Sequence, residues 1–301
     1  MDIGGAYYQS PLNALINGID TNKYVEVNGN SGAYDIINID GKDNITFVNF
    51  YFHSTDKATG HNSLDFANNP VGCVFLNCRF DNVYNVLNDT AKVILFLDCF
   101  SNSGIANRHY SLSGSSVSLF INCILKIKAG YEGIRPGSLN AATVKGCLFL
   151  DGIFGMNVVG TETYFSSASV SECTFYNQTV ACINAGTQAV VTVFNNILIP
   201  TVGANDYGIN WLDNPMGQRG SIISDYNCFY GADGNPLANP IYENVIGPHS
   251  IEKDPKLIIK DSKPVGLGPG SPCRGAGLNK SIIGCTPQRF VRQNGIIIGV
   301  I

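Results

Sequence analysis

Short apolar runs recur along most of the chain, and residues rich in Asn, Asp, Gly and Ser separate them. One example spans residues 117–125 and reads Val-Ser-Leu-Phe-Ile-Asn-Cys-Ile-Leu. Runs of about four to eight Val, Ile, Leu and Phe residues bounded by such turn residues predict β-strands. No part of residues 44–230 sustains a helical periodicity, which argues against βαβ units, leucine-rich repeats and helical arrays.

A cysteine near the end of most runs shows that the runs repeat. Aligned on this position, the copies read Asn49-Phe50, Asn77-Cys78, Asp98-Cys99, Asn122-Cys123, Gly146-Cys147, Glu172-Cys173, Asn195-Asn196 and Asn227-Cys228. The steps between them are 28, 21, 24, 24, 26, 23 and 32 residues. A period of about 20 to 50 residues indicates a solenoid, a propeller or a repeat array.

A second, shorter apolar piece lies between successive copies, for example Tyr131-Glu-Gly-Ile134. Each repeat therefore reads as strand, corner, strand and loop. This pattern predicts an all-β, single-stranded parallel β-helix of about 8–10 rungs, in which equivalent side chains stack in columns. We expect one internal column of Cys and Asn, and at each corner an Asn or Asp that tolerates the left-handed conformation.

The repeat also divides the chain. We expect an N-terminal cap over residues 1–24, the β-helix over 25–250, a closing segment over 251–285 and a tail over 286–301. The tail ends in the apolar run Ile296-Ile-Ile-Gly-Val-Ile301.

The corner motif and its period resemble the right-handed parallel β-helix proteins of the pectate-lyase-like superfold over roughly residues 25–285. Three further segments resemble the closing part of secreted bacterial and phage-borne members: residues 225–230, 247–257 and 269–277. The resemblance implies an extracellular, cell-surface or virion location. It covers polysaccharide lyases and hydrolases, adhesins and tail components, so it does not select one function.

Composition and charge argue against several classes of protein. The net charge is −4 and there is no basic block, which argues against nucleic-acid binding. No run of 18 apolar residues is present, so no membrane insertion is expected. No signal peptide is visible at the N-terminus.

Six of the ten cysteines recur at the corner position, and this spacing predicts a column of free thiols rather than a disulfide framework. Cys273 and Cys285 lie off the column, and a disulfide between them is the alternative. There is no C-x-x-C pair, so zinc is not expected. No cofactor is predicted. Calcium is not indicated, because Asp233-Gly-Asn235 reads more simply as a turn.

Enzymes of the resembled fold work in a long outer groove, so outward side chains on neighbouring rungs are the candidates. Aligning the shorter strands places one set outward: Asn88, Ser113, Arg135, Val158, Asn184 and Trp211. The best polar cluster is His109, Tyr110, Glu132 and Arg135, with Arg108 beside it.

In this cluster we expect Arg135 to bind a sugar carboxylate, Tyr110 or His109 to transfer a proton, and Glu132 to orient the sugar or act as an acid. The alternative is a solvated face with a weak ion pair. Glu132 and Arg135 are three residues apart, so they face opposite ways unless Gly133 bends the strand.

Four residues are predicted to contact carbohydrate: Trp211, Asn184, Tyr131 and Arg108. Trp211 is the only tryptophan, and an exposed aromatic ring can pack on a sugar; alternatively it covers the coil. Lys126 and Lys128, with Asp151 one rung on, form a second candidate site or a solubilising face.

Three functions follow. The first is an extracellular or virion-associated protein that recognises polysaccharide, with or without cleaving it. The second is an architectural tail or surface spacer, trimeric or part of a larger assembly, without a ligand. The third is a polysaccharide lyase or glycoside hydrolase.

Overall fold

The structure of the chain is a computed structural model. It describes residues 14–17, 25–29, 37–38, 43–54, 62–65, 70–83, 85–89, 93–103, 108–112, 116–160, 164–201, 207–211, 221–235, 237, 246–285, 291–293 and 296–299.

Strands account for nearly all the regular structure. The first fifteen are β1 (Ala14–Asn17), β2 (Val25–Gly29), β3 (Ile37–Asn38), β4 (Ile45–Val48), β5 (Phe50–Ser54), β6 (Asn62–Asp65), β7 (Val71–Leu76), β8 (Arg79–Val83), β9 (Asn85–Asp89), β10 (Val93–Leu97), β11 (Phe100–Ser103), β12 (Arg108–Leu112), β13 (Val117–Ile121), β14 (Ile124–Lys126) and β15 (Glu132–Pro136). The others are β16 (Ala141–Lys145), β17 (Leu148–Leu150), β18 (Phe154–Val158), β19 (Ser166–Ser171), β20 (Thr174–Tyr176), β21 (Ala181–Ala185), β22 (Ala189–Phe194), β23 (Ile197–Ile199), β24 (Tyr207–Trp211), β25 (Ser221–Asp225), β26 (Cys228–Phe229), β27 (Leu257–Lys260), β28 (Lys263–Leu267), β29 (Val291–Gln293) and β30 (Ile296–Gly299). A 3₁₀ turn spans Leu278–Lys280.

Every third strand joins the same parallel sheet, so the chain coils. Sheet 1 runs β1-β4-β7-β10-β13-β16-β19-β22-β25, and sheet 2 runs β2-β5-β8-β11-β14-β17-β20-β23-β26. Sheet 3 contains β3-β6-β9-β12-β15-β18-β21-β24. Nine strands in each of the first two sheets confirm the predicted parallel β-helix. Its first described strand, β1, lies inside the segment predicted as a cap.

Inside the coil, aromatic rings stack from rung to rung. Phe47, Phe75, Phe96 and Phe120 occupy one column of sheet 1, and neighbouring ring centroids are 5.0 Å apart. All four are fully buried. The spacing is close to the distance between adjacent strands, so the backbone ladder also sets the ring stacking.

The corner between sheets 1 and 2 has the predicted left-handed conformation on successive rungs. The residues with positive φ at this corner are Asn49, Asn77, Asp98, Asn122, Gly146, Glu172, Asn195 and Tyr226. Asn and Gly adopt this region at the lowest cost, which explains their frequency here.

The next residue points inward and forms the predicted column, which we call the corner file. It contains Cys78, Cys99, Cys123, Cys147, Cys173, Asn196 and Asn227. Each side chain lies within hydrogen-bond distance of a carbonyl on the preceding rung. Cys147 Sγ is 3.4 Å from Phe120 O, and Asn196 Nδ2 is 3.0 Å from Val170 O. A thiol and an amide therefore donate the same hydrogen bond at this position.

The corner file also accepts hydrogen bonds. Cys147 Sγ receives the backbone N–H of Cys123 at 3.3 Å, and Asn196 Oδ1 receives that of Cys173 at 2.8 Å. Burial raises the pKa of the Cys99 and Cys147 thiols well above its ordinary value, so they keep the protons they donate.

The sequence alignment was one residue off at its last copy. The register places Phe194 beside Asp225 and Ile197 beside Cys228, so the file residue is Asn227 and the corner residue is Tyr226. Asn227 is the last member of the corner file, and its backbone N–H donates to the Ser250 hydroxyl oxygen at 3.1 Å.

The closing segment packs on the outer face of sheet 2. Thr174 Oγ1 donates to the Cys285 carbonyl at 3.0 Å and accepts its N–H at 3.1 Å. Cys228 and Cys273 share one apolar cluster, whereas Cys285 packs with Leu148 in another. The alternative disulfide between Cys273 and Cys285 is therefore wrong, and all ten cysteines are free thiols.

A histidine and an aspartate tie the residues just before the closing segment to β25. His249 Nδ1 is 2.7 Å from Asp225 Oδ2, and the His249 ring stacks on Tyr226 at 4.5 Å. Burial opposes the charge on Asp225, but hydrogen bonds from His249 and Tyr226 outweigh it and lower the pKa of this carboxyl.

The corner file predicts how Asn196 responds to substitution. Asn196→Leu removes the acceptor for Cys173 N and the donor to two buried carbonyls, so it should lower the free energy of unfolding by about 3 kcal/mol. Asn196→Cys should cost less than half as much, because a thiol donates to a carbonyl of the preceding rung at five positions of the file and accepts a backbone N–H at two of them. Urea unfolding followed by circular dichroism measures both. Equal losses would show that the file acts by packing alone.

Candidate functional site

The outer face of sheet 3 carries the predicted Glu132–Arg135 pair. A Cβ built on Gly133 would lie 2.8 Å from Ile127 Cδ1 in the core, and Ile134 is also fully buried. Two consecutive positions therefore face inward, which puts Glu132 and Arg135 on the same outer face. Arg135 Nη1 is 3.4 Å from Glu132 Oε2. The bend at Gly133 that the pair required is present.

A row of buried amides leads from this pair along the solenoid axis; we call it the amide row. Asn210 donates to Asn184 Oδ1 at 2.7 Å, and Asn184 donates to Asn157 Oδ1 at 2.8 Å. Asn157 then donates to Glu132 Oε1 at 2.8 Å. The three amides point away from the core yet are at least nine-tenths buried. Their hydrogen bonds therefore remove the cost of burying polar groups.

Glu132 fixes the direction of the amide row. A carboxylate only accepts hydrogen bonds, so Asn157 must turn its NH₂ group toward Glu132. Its oxygen then faces Asn184, and each later amide must follow the same orientation. Arg135 occupies the column position that Asn157 occupies one rung later, and it supplies the compensating positive charge.

The register corrects the predicted outward column. The true neighbours of Arg135 are Ser111 and Asn157, not Ser113 and Val158. The shorter strands lack a marker residue such as the corner cysteine, so the unequal loops before them hid the alignment. Asn157 and Asn210 were missed for this reason.

Tyr110 is not part of an outer site. It lies beside Ile134 in the register, is 1% exposed and packs against Phe96 and Phe120. Burial raises the pKa of Tyr110 well above its ordinary value, which further removes it from proton transfer. The side chains of His109 and Arg108 lie outside the described residues. The backbone of Arg108 lies directly beside that of Glu132.

The predicted carbohydrate contacts are also dispersed. Trp211 pairs in register with the core residue Ala185 and packs against the core, so the outward orientation predicted for it is wrong. Asn184 is 3% exposed and belongs to the amide row. Tyr131 is partly buried, and the Lys128 ammonium lies 5.3 Å from its ring centre.

Of the second candidate, Lys126, Lys128 and Asp151, the first and last line a cavity, whereas Lys128 does not. Lys126, Leu150 and Tyr176 occupy one outer column of sheet 2, and the hairpin β27–β28 lies opposite. A cavity of about 300 Å³ lies between them and is also lined by Asp151, Asn177, Ile259, Asp261, Ser262 and Lys263. We call this the hairpin groove.

The groove continues along the axis. A smaller cavity of about 170 Å³ shares Tyr176 and Ile259 with the first, and extends past Ile199 to Tyr230. Its walls are mainly apolar, whereas those of the first cavity carry most of the charge.

Metal ligands do not converge in the described ranges, where no group of three His, Cys, Asp or Glu residues could hold an ion. Asp233 accepts the backbone N–H of Asn235 at 3.0 Å and its side-chain amide at 2.8 Å, which is the geometry of a turn. Within the part of the chain that is described, no helix has the length and hydropathy to cross a membrane.

No protein-family model matches the sequence, and no curated protein matches it either. The parallel β-helix is therefore established by the strand order of the structure itself.

The fixed direction of the amide row gives a test. Asn184→Asp cannot donate to Asn157 Oδ1, so two buried acceptor oxygens face each other. We expect the free energy of unfolding to fall by about 3 kcal/mol at pH 7. The loss should shrink at low pH, where the new carboxyl is protonated and can donate. Unfolding should be compared with the wild type at each pH.

A second substitution sharpens that experiment. Glu132→Gln allows the row to reverse, so the double variant with Asn184→Asp should recover part of the lost stability. Additive losses in the double-variant cycle would contradict a directional row.

Proposed function

We propose that this chain is a polysaccharide-binding β-helix of an extracellular, cell-surface or virion-associated assembly. Its outer sheet 3 face contacts an anionic glycan through Arg135. The observation that supports this is the half-buried Arg135, which faces outward at the end of the amide row and keeps 27% of its side chain exposed.

The Arg135 guanidinium has N–H donors that its contact with Glu132 does not use. Its contact with Glu132 is long at 3.4 Å, and Glu132 also accepts a shorter bond from Asn157. A guanidinium offers five N–H donors in a planar fork that matches a carboxylate or a sulfate. Its position is fixed by the strand and by Glu132, which lowers the entropy lost when a ligand binds.

The neighbouring column supplies apolar contacts. Glu132, Phe154, Ala181 and Tyr207 follow one another on successive rungs, and Phe154 and Tyr207 are partly exposed. Rungs repeat about every 4.8 Å, a distance comparable to one sugar unit in an extended chain. A glycan lying along the axis would meet Arg135 and then these rings.

Binding has more support than cleavage. The buried Tyr110 cannot reach a substrate on the outer face, which removes one of the two predicted proton-transfer groups. The proposal is therefore limited to recognition.

Arg135→Ala should weaken binding to anionic polysaccharides at least about tenfold, since it removes a charged hydrogen-bond donor. Binding can be measured on an array of uronate-containing and sulfated glycans. Lys145→Ala is the matched control, because it breaks another 3.4 Å ion pair, with Glu172, on a different face. The melting temperature of Lys145→Ala should stay close to that of the wild type, and that of Arg135→Ala should fall slightly because Glu132 loses its compensating charge.

Equal binding by the two variants would remove sheet 3 as the site. No binding by the wild type across the array would favour the architectural function.

One surface does favour the architectural alternative. Three rungs of sheet 1 present only aliphatic side chains outward, in a grid of three columns; we call it the aliphatic face. Its members are Val71, Val74, Leu76, Val93, Leu95, Leu97, Val117, Leu119 and Ile121. Val71, Val93 and Val117 are 37–44% exposed. Contiguous apolar surface of this kind marks an interaction site.

A second copy of the chain, in a trimer or larger assembly, is the occupant we propose for the aliphatic face. Leu95→Glu should then reduce the mass measured by light scattering. Ser169→Glu is the control, because it adds the same charge two rungs beyond Leu119 in the same column. A monomeric wild type would reject self-association through this face.

A further inference from the structure

The hairpin groove contains charged side chains that form no close ion pair with any other described residue. Among the described residues, no acidic side chain lies within 4.0 Å of the Lys126 or Lys263 ammonium, and no basic one within 4.0 Å of Asp261. Asp151 accepts one amide hydrogen bond, from Asn177 at 2.7 Å. Four charges, two of each sign, thus line one cavity without neutralising one another in close pairs.

The mixture of signs restricts the ligand. Lysine only donates hydrogen bonds and aspartate only accepts them. A ligand with a single charge would be attracted by two of these groups and repelled by the other two, so its charge would add little to binding. A hydroxyl both donates and accepts, so a ligand with several hydroxyls can satisfy both kinds of group.

Shape points to the same chemistry. The Tyr176 side chain lies where the two cavities meet, and Tyr230 lies in the second. Aromatic side chains offer an apolar face and a polar tip, which suits the C–H faces and hydroxyls of a sugar ring. A cavity of about 300 Å³ is at the lower end of the range for small-molecule sites. It can take one pyranose ring, and the adjoining 170 Å³ can take part of the next.

We propose that the hairpin groove binds a neutral oligosaccharide, with one pyranose ring between Lys126 and Lys263 and the next beside Tyr230. This site lies on sheet 2, and its ligand is uncharged, so it is independent of the anionic glycan proposed for Arg135.

The test is calorimetric titration of the full chain with cellobiose, maltose and lactose, and with glucuronate as the anionic probe. The wild type should bind at least one neutral disaccharide more tightly than glucuronate. The double substitution Lys126→Met and Lys263→Met should weaken that binding at least about tenfold, because it removes two charged donors.

Lys260→Met is the matched control, because Lys260 lies in the same hairpin but does not line the groove; it should bind like the wild type. Arg135→Ala should also leave this binding unchanged. The proposal is overturned if no neutral disaccharide binds up to about 10 mM, if glucuronate binds best, or if the double variant and Lys260→Met behave alike.

Discussion

The fold depends on how the chain satisfies its backbone where it turns. At each corner between sheets 1 and 2 the ladder of strand hydrogen bonds is interrupted inside an apolar core, where an unpaired amide or carbonyl is costly. The corner file resolves this. A short side chain reaches one carbonyl of the rung before, and receives the N–H of that rung's own file residue. From Cys123 to Asn196, each file residue donates its backbone N–H to the file side chain one rung on, and Cys and Asn are both suitable acceptors.

This explains what the sequence could and could not predict. The corner is visible because it requires a left-handed residue followed by Cys or Asn, and these residue types stand out in apolar runs. Where Tyr226 replaced Asn at the corner, the signal was lost and the alignment slipped by one residue. Sheet 3 has no such requirement, so Asn157 and Asn210 could not be aligned, and Trp211 was given the wrong face.

Surface sites depend on contacts between distant parts of the chain. Lys126 and Lys263 are more than a hundred residues apart in the sequence, and only the docking of the closing segment on sheet 2 brings them to one groove. The aliphatic face, by contrast, has a signal in the sequence, although the sequence analysis did not predict it. Its strands are apolar at nearly every position, whereas β16 and β19 alternate with polar residues, and an uninterrupted apolar strand indicates that both faces are apolar.

Because Ser250 ends the corner file, the number of coils in the β-helix can change without changing its C-terminal end. The backbone N–H of a file residue needs an acceptor on the following rung. The Ser250 hydroxyl oxygen is that acceptor for Asn227, as a side chain of another coil would be. Duplication or deletion of a whole repeat upstream would leave this terminus intact, since the contacts at each level are local. Such a protein can become longer or shorter in evolution by one coil at a time. The closing segment that covers its last strands, and so protects them from pairing with another molecule, can stay the same.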